Sequence, residues 1–136
     1  MVNPECKLTV LPHVDKVIDM KQNRATFKAK VSITNPYTCQ VTVKTIYYTL
    51  KTVKKDREMV KGPFTENLPK QLEQQKQEMI QVPMSVRYEH LMKLTNDIGV
   101  DWDNMYELEF KLTVDLPWAR DHPISRTTIA EIQMPL

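Results

Sequence analysis

The sequence predicts an all-β fold, an antiparallel two-sheet sandwich, from three observations. Segments 24–34 and 106–114 alternate apolar and polar side chains, which is typical of strands that bury one face. Prolines and short polar turns separate these segments from further strands, about seven in all, with one short helix. The length of 136 residues is that of one domain, so we expect 1–136 to form a single domain around one core.

Prolines also set the expected strand ends in the first part of the chain. One or two short strands are predicted in 7–11 and 15–20, separated by Pro12. The clear alternation of Arg24–Thr34 predicts a half-buried strand. It ends at Asn35-Pro36-Tyr37, because proline cannot donate to a ladder and disfavours helical dihedrals in the residue before it.

The next strand changes its buried face part-way along. In Val41–Thr52 the apolar side chains move from odd to even positions, which predicts a β-bulge near Lys44 and Thr45 or a sandwich corner. A turn is expected after Lys55, followed by a short edge strand around 57–60 and then a loop in the polar segment that carries Gly62-Pro63.

An edge strand followed by a helix is expected in the middle of the chain. Apolar side chains alternate up to Val86 with Pro83 on the opposite face, which favours an edge strand. Apolar residues then recur at helical spacing, so a helix is predicted over 87–98, with Ser85 as a possible N-cap and Gly99 at its C-terminal cap.

The last third of the chain predicts two strands. The alternation that begins at Tyr106 is the second clear strand pattern, and Asp115-Leu116-Pro117 breaks it. A final strand of mixed parity is expected over 124–134.

Charge and cysteine content narrow the possible partners and the compartment. Lysine plus arginine (19) barely exceed aspartate plus glutamate (17), so charge alone predicts no nucleic-acid binding. Cys6 and Cys39 do not amount to a disulfide framework and are interpreted as free thiols. Without a signal peptide or an apolar segment of membrane-spanning length, the sequence predicts a cytoplasmic monomer.

No catalytic or cofactor site is recognisable. His13, His90 and His122 lie far apart and outside any zinc-ligand spacing, so no metal site is predicted. Cys39 has no neighbouring base and is interpreted as an inert thiol. We therefore expect no enzyme and no cofactor.

The acidic segment around residue 101 resembles part of a calcium loop but does not complete it. With Asp101 as the first ligand, Asp103 is the third, but Met105 and Tyr106 occupy positions that need an oxygen ligand and glycine. Asx-turns anchored by Trp102 are favoured, with an exposed binding loop at 100–104 as the alternative.

A basic cluster is expected on a hairpin and its loop, made of Lys51, Lys54, Lys55, Arg57 and Lys61. Lysines on edge strands commonly discourage aggregation, so a solvated edge is favoured. Contact with anionic phosphates or lipid headgroups is the alternative.

Several motifs, taken in order, resemble the type-2 late embryogenesis abundant proteins and their water stress and hypersensitive response (WHy) domain. The first is the strand 30–37 ending in Asn-Pro-Tyr, and the most specific is Asp-Ile-Gly-Val-Asp-Trp-Asp at 97–103. Tyr106-Glu107-Leu108 and Asp115-Leu116-Pro117 continue the resemblance. The family favours turn glycines at three positions that hold other residues here, so those turns are expected to differ: Lys111, Arg120 and Ala130.

The resemblance implies an immunoglobulin-like or fibronectin-III-like sandwich and a non-enzymatic role in tolerating dehydration, by shielding client proteins or membranes. An alternative is an interaction module that binds a partner through a sheet edge or the 100–104 loop. The resemblance carries no catalytic residue. Its signature residues, structural or in contact with a partner, are Asn35, Pro36, Tyr37, Asp97, Gly99, Asp101, Trp102, Asp103, Asp115 and Pro117.

Overall fold

The structure, a computed structural model, describes residues 7–53, 56–91 and 105–132. Within these ranges the chain forms nine β-strands and the start of one helix, over 88–91. The strands are β1 (Thr9–Val14), β2 (Asp19–Lys21), β3 (Arg24–Thr34), β4 (Val41–Thr52), β5 (Glu58–Phe64), β6 (Lys70–Leu72), β7 (Gln77–Arg87), β8 (Met105–Leu116) and β9 (Ala119–Glu131).

These strands form two antiparallel sheets. In the first sheet β3 is central: β7 pairs along its whole length, while β1 and β2 pair with its two halves on the other side. The second sheet has the order β5-β4-β8-β9, and β6 pairs with the beginning of β4. The predicted all-β sandwich is confirmed.

The core lies between the sheets because alternate residues of each strand point inward. The odd residues of β3 and the even residues of β7 and β8 are buried. Phe27 of the first sheet contacts Tyr106 of the second, with ring centroids 6.3 Å apart. The largest side chains that are almost fully buried also include Phe110, Ile33, Ile46, Leu50, Leu72 and Met84.

The change of parity in β4 is a β-bulge, as predicted. The register with β8 shifts between Val43 and Thr45, so Val43 and Ile46 are both buried despite their odd spacing. Lys44, at the bulge, points its amine towards the hairpin that joins β8 and β9.

Two prolines that were predicted to separate or end strands lie inside them. Pro12 is part of β1 and Pro63 is part of β5, so the loop expected after residue 60 was wrong at Gly62-Pro63. β1 and β5 are edge strands, where a residue whose nitrogen faces away from the neighbouring strand needs no N–H. β5 pairs with β4 as far as Phe64, so the strand is longer than the predicted 57–60.

The N-cap predicted at Ser85 was also wrong. Ser85 lies in β7, and its hydroxyl oxygen accepts a hydrogen bond from Arg24 Nε at 2.9 Å. The helix starts after the strand, over 88–91, and the rest of the predicted 87–98 helix lies outside the described residues. Strand pairing to β3 holds Ser85 in extended backbone, which a local cap signal does not reveal.

The hairpin between β8 and β9 is tighter than predicted. β9 begins at Ala119 rather than at residue 124, because its pairing with β8 continues to the turn. Lys111, Arg120 and Ala130, expected near altered turns, lie inside strands. The left-handed residue of this hairpin is Asp121, with φ of 54°, a conformation that aspartate tolerates better than most side chains.

Candidate functional site

The Asn-Pro-Tyr signature lies at one end of the sandwich, where the chain crosses between the sheets. Asn35 is fully buried, and its side-chain amide donates to the carbonyl oxygens of Cys39, Leu72 and Glu73 at 3.0, 3.2 and 3.1 Å. Its side-chain oxygen accepts from the Tyr37 N–H at 3.0 Å. Because Asn35 follows β3 and Leu72 ends β6, this one side chain ties the first sheet to the second.

Tyr37 connects this turn to the β8–β9 hairpin. Its hydroxyl oxygen accepts from the backbone N–H of Lys7 at 2.7 Å, and its carbonyl accepts from Gln75 N–H at 3.1 Å. Its ring meets Trp118 edge to face, with centroids 5.1 Å apart and planes at 82°. Trp118 keeps 36% of its surface exposed, so the pair forms an aromatic patch at this end of the molecule.

Asp115 and Lys44 form an ionic bridge across the same end. Lys44 Nζ lies 2.8 Å from Asp121 Oδ1 and 3.5 Å from Asp115 Oδ1. The backbone N–H of Asp121 donates to Asp115 at 3.0 Å, and together with the Lys44 charge it lowers the pKa of the Asp115 carboxyl. The hydrogen bond to Asp121, with both carboxylate charges, raises the pKa of Lys44.

The structure brings together only part of the predicted signature. Asn35, Tyr37 and Asp115 lie at one end, and Pro36 and Pro117 are exposed in turns there. The remaining signature residues and the 100–104 loop lie outside the described residues: Asp97, Gly99, Asp101, Trp102 and Asp103.

The outer face of the first sheet, called here the first outer face, is cationic. The basic side chains that point outward from β2, β3 and β7 are Lys21, Arg24, Lys28, Lys30 and Arg87. Lys21 lies 4.0 Å from Asp19, and within the described ranges the other four form no ion pair. Considering the described residues alone, this face therefore presents four cations without a paired carboxylate.

The outer face of the second sheet, called here the second outer face, instead carries several ion pairs. Lys51 Nζ lies 2.9 Å from Asp56 and 3.2 Å from Glu107. Lys111 lies 3.7 Å from Glu109. Two lysines of the predicted basic cluster are therefore paired: Lys51, and Lys61, whose Nζ lies 3.4 Å from Glu58. Lys54 and Lys55 of that cluster lie outside the described residues.

The described part of the chain shows no arrangement of metal ligands. No group of three or more histidine, cysteine, aspartate or glutamate side chains there is placed to bind an ion. His13 contacts Asp15 at 3.2 Å, and Cys39 is exposed as a free thiol. No helix among the described residues has the length and apolar character needed to cross a bilayer.

Sequence reasoning missed two features. The contact of Tyr37 with Trp118 joins residues far apart in the chain, and only the meeting of two turns brings them together. The alignment of Lys21, Arg24 and Arg87 arises from strand register. The only indication of this alignment in the sequence is that each of these strands has a basic residue at one of its ends.

Comparison with known proteins identifies the family. A model of the family described as late embryogenesis abundant protein (LEA_2) matches residues 30–128, which is most of the chain. This chain belongs to the LEA_2 family. The recognised motifs from the Asn-Pro-Tyr turn to the Asp115-Leu116-Pro117 segment lie within the matched range.

Curated relatives of this LEA_2 protein cover most of its length. It is 33% identical to "Probable desiccation-related protein LEA14" of Arabidopsis thaliana over 95% of this chain and 87% of the relative. It is 33% identical to the late embryogenesis abundant protein Lea14-A of Gossypium hirsutum, over 90% and 88% of the two chains. A desiccation protectant protein Lea14 homolog of Glycine max is 35% identical, over 80% and 69%.

Solved structures agree on the fold. The solution structure of AT1g01470 from Arabidopsis thaliana has a TM-score of 0.68 and 32% identity, covering 92% of this LEA_2 chain and 78% of the other. A crystal structure from Archaeoglobus fulgidus reaches a TM-score of 0.62 at 11% identity, over 93% and 98% of the two chains. At that identity the likeness extends to the fold alone.

Proposed function

We propose that this LEA_2 protein is a non-enzymatic, cytoplasmic protein that protects client proteins or membranes when water is withdrawn. The observation that carries the proposal is that relatives at 33–35% identity are named desiccation-related or desiccation protectant proteins. The proposal transfers that role to this chain and adds shielding as the mechanism.

The surface of the sandwich is compatible with shielding. Both outer faces carry charged side chains at alternate strand positions, and such faces keep a protein hydrated and soluble. The first outer face is cationic, so it would attract the negatively charged surfaces of clients or of anionic membranes. Salt screens the interaction between exposed charges more completely as their separation exceeds about 10 Å, so the attraction is strongest at close approach.

The test is the recovery of a drying-sensitive enzyme after dehydration and rehydration in the presence of this protein. An unrelated β-sandwich of equal mass and charge is the control, because any soluble protein can crowd and dilute an aggregating client. We expect recovery above that control. Equal recovery with both proteins would reject shielding as a specific activity.

A pair of variants locates the protective surface. Lys28→Gln combined with Lys30→Gln removes two cations that form no ion pair with any described residue of the first outer face. Lys51→Gln combined with Lys111→Gln removes the same charge from the ion-paired second outer face. If the cationic face does the shielding, the first pair lowers recovery and the second does not; equal effects would place it elsewhere.

A second candidate function, binding of a specific partner by strand addition, is favoured by the exposed edge of the second sheet. β9 is 13 residues long, pairs with β8, and has no further strand beside it in the described part of the chain. Ile129 is 56% exposed on this strand. An extended peptide could add to such an edge through main-chain hydrogen bonds.

Immobilised protein incubated with extracts of dehydrated and hydrated tissue separates this candidate from shielding. A partner bound by β9 would be retained saturably, and Ile129→Lys would abolish its retention without lowering the unfolding midpoint. Trp102→Ala tests the 100–104 loop in the same assay. Retention that does not saturate, or that survives both substitutions, would contradict partner binding at these two surfaces.

A further inference from the structure

Strand register places three cations in one row across the first sheet. Arg24 of β3 pairs directly with Lys21 of β2 on one side and with Arg87 of β7 on the other. Side chains of directly opposite residues point to the same face, with Cβ atoms about 4.5–5.5 Å apart. Arg24 and Arg87 both lie on the outer parity of their strands and are exposed.

Carboxylates of the described residues give this row almost no compensating negative charge. Like charges directly opposite on neighbouring strands are destabilising. In the described part of the chain neither Arg24 nor Arg87 has a carboxylate within ion-pair distance, and Lys21 reaches Asp19 only at 4.0 Å. An anion bound at the row would reduce the repulsion between these three cations. The strand register therefore keeps positive charges close together where an anionic ligand can neutralise them.

A row of hydroxyl groups lies directly beside the cations. Ser85 and Thr26 face one another on the neighbouring rung, with their hydroxyl oxygens 3.5 Å apart. Arg24 Nε donates to Ser85 at 2.9 Å, which holds its guanidinium in place, and its terminal nitrogens have no partner among the residues that the structure describes. The Ser85 hydroxyl accepts that bond, so its own proton is available for donation to a ligand.

The two arginines open onto a surface depression of about 640 Å³. Within ranges 7–53, 56–91 and 105–132, the residues that line it are Arg24, Ser85, Val86, Arg87, Glu89 and His90. Of the described residues that line it, Glu89 alone is a carboxylate, and it forms no ion pair with either arginine. The depression therefore combines two guanidinium groups, a hydroxyl donor and space for a small anionic group.

We propose that Lys21, Arg24 and Arg87, with the Ser85 hydroxyl, form a binding site for a phosphate group. A phosphate monoester carries a charge of about −1.5 to −2 and three acceptor oxygens, which matches several cationic donors better than a single carboxylate does. The group belongs either to a lipid headgroup or to a soluble phosphate compound. The site does not depend on the protective role, since binding at these residues is measured without any client.

The test is a titration of the isotope-labelled full chain, followed by NMR of the arginine Nε–H and backbone amide signals. The probes are inorganic phosphate and, separately, vesicles of phosphatidylcholine with phosphatidic acid and vesicles of phosphatidylcholine alone. We expect inorganic phosphate to shift the signals of Arg24, Ser85 and Arg87 together, with saturation at one dissociation constant.

Matched substitutions distinguish a site from diffuse attraction. Arg24→Gln and Arg87→Gln should each weaken phosphate binding by about tenfold, since each removes a charge-assisted donor pair. Lys28→Gln removes the same charge from the same strand as Arg24, outside the row, and should change binding less than about twofold. Arg24→Lys keeps the charge but loses the forked donor geometry, so an intermediate loss is expected.

The vesicle experiment identifies the source of the phosphate. Binding to phosphatidic acid vesicles that is lost in Arg24→Gln, with tighter apparent affinity than for inorganic phosphate, supports a lipid headgroup. Inorganic phosphate binding with no gain from vesicles supports a soluble phosphate compound. Both results support the phosphate site.

Two results would overturn the proposal. One is the absence of saturable shifts with either probe. Another is a Lys28→Gln variant that weakens binding as much as Arg24→Gln, which would reduce the effect to overall charge. All variants are checked for an unchanged unfolding midpoint.

Discussion

The two outer faces of the sandwich are built alike from alternating strand positions, but their charged side chains are arranged differently. On the second outer face Lys51, Lys61 and Lys111 each have a carboxylate within 4 Å, so positive and negative charges cancel locally on that face. On the first outer face Lys28, Lys30, Arg24 and Arg87 have none in the described part of the chain. The nearly neutral net charge of +2 conceals this separation.

This difference in charge pairing indicates which outer face is better suited to bind an anionic partner. Exposed ion pairs contribute little to stability, but they leave no net charge for a partner to meet. Unpaired cations held in register cost some stability and attract anions from a distance. The first outer face is therefore the better candidate for contact with anionic groups, and the second is better suited to solubility.

The largest expected effect comes from Asn35, whose hydrogen bonds hold the two sheets, and with them the two faces, together. Asn35→Ala leaves the Cys39, Leu72 and Glu73 carbonyls without their shared donor. We expect a loss of about 2–4 kcal/mol in the free energy of unfolding. Urea denaturation followed by circular dichroism measures it. Gln40→Ala, which removes an exposed bond to Glu73, is the control and should cost under about 0.5 kcal/mol.

A smaller change in stability is expected when one lysine on each outer face is replaced by glutamate. Lys51→Glu breaks contacts with Asp56 and Glu107 and places like charges together, so it should lower the urea midpoint. Lys28→Glu breaks no ion pair among the described residues, and its change should stay within about 0.5 kcal/mol or be stabilising. Equal losses in the two variants would show that the faces do not differ energetically.

The smallest effect concerns the pH dependence of the bridge at the Asn-Pro-Tyr end. The pKa of the Asp115 carboxyl is lowered from its ordinary 3.8, mainly by the Asp121 N–H. A lowered pKa contributes stability that is present above 3.8 and lost as pH falls through the folded-state value. The stability difference between the wild type and Asp115→Asn should therefore narrow in acid. A difference that stays constant across this range would contradict the assigned ionic role.

The pKa of Lys44, raised by the same contacts, gives the opposite pH dependence. Its contribution is present below the ordinary 10.5 and is lost as pH rises through the folded-state value. Lys44→Met should thus differ from the wild type least at high pH. Urea midpoints on both sides of 3.8 and below and above 10.5 measure the two dependences.

Much of the fold was predictable because strand alternation is a local pattern. The strand over Arg24–Thr34 has the predicted bounds, and the parity change in Val41–Thr52 correctly located the bulge beside Lys44. Each depends on which side chains are buried along one strand, and the hydrophobic pattern records that directly. The Asn-Pro-Tyr turn was predictable for the same reason, since proline acts on its immediate neighbours.

The errors came where a local signal competed with pairing. Pro12 and Pro63 have the local properties of strand breakers, but each lies on an edge strand, where proline is tolerated. Ser85 has the local properties of a helix cap, but its pairing with Thr26 keeps it in β7. Edge position and pairing partner are properties of the whole sheet, and a single segment does not contain them.

The sequence by itself determined the all-β class, the clear strands, the bulge and the family, because alternation, turn residues and ordered motifs are all local in the chain. Only the tertiary structure decided that Asn35 ties the two sheets, that Tyr37 meets Trp118, and that Lys21, Arg24 and Arg87 share one row. Arg24 and Arg87 are far apart in sequence, and hydrogen-bonded register alone makes them neighbours.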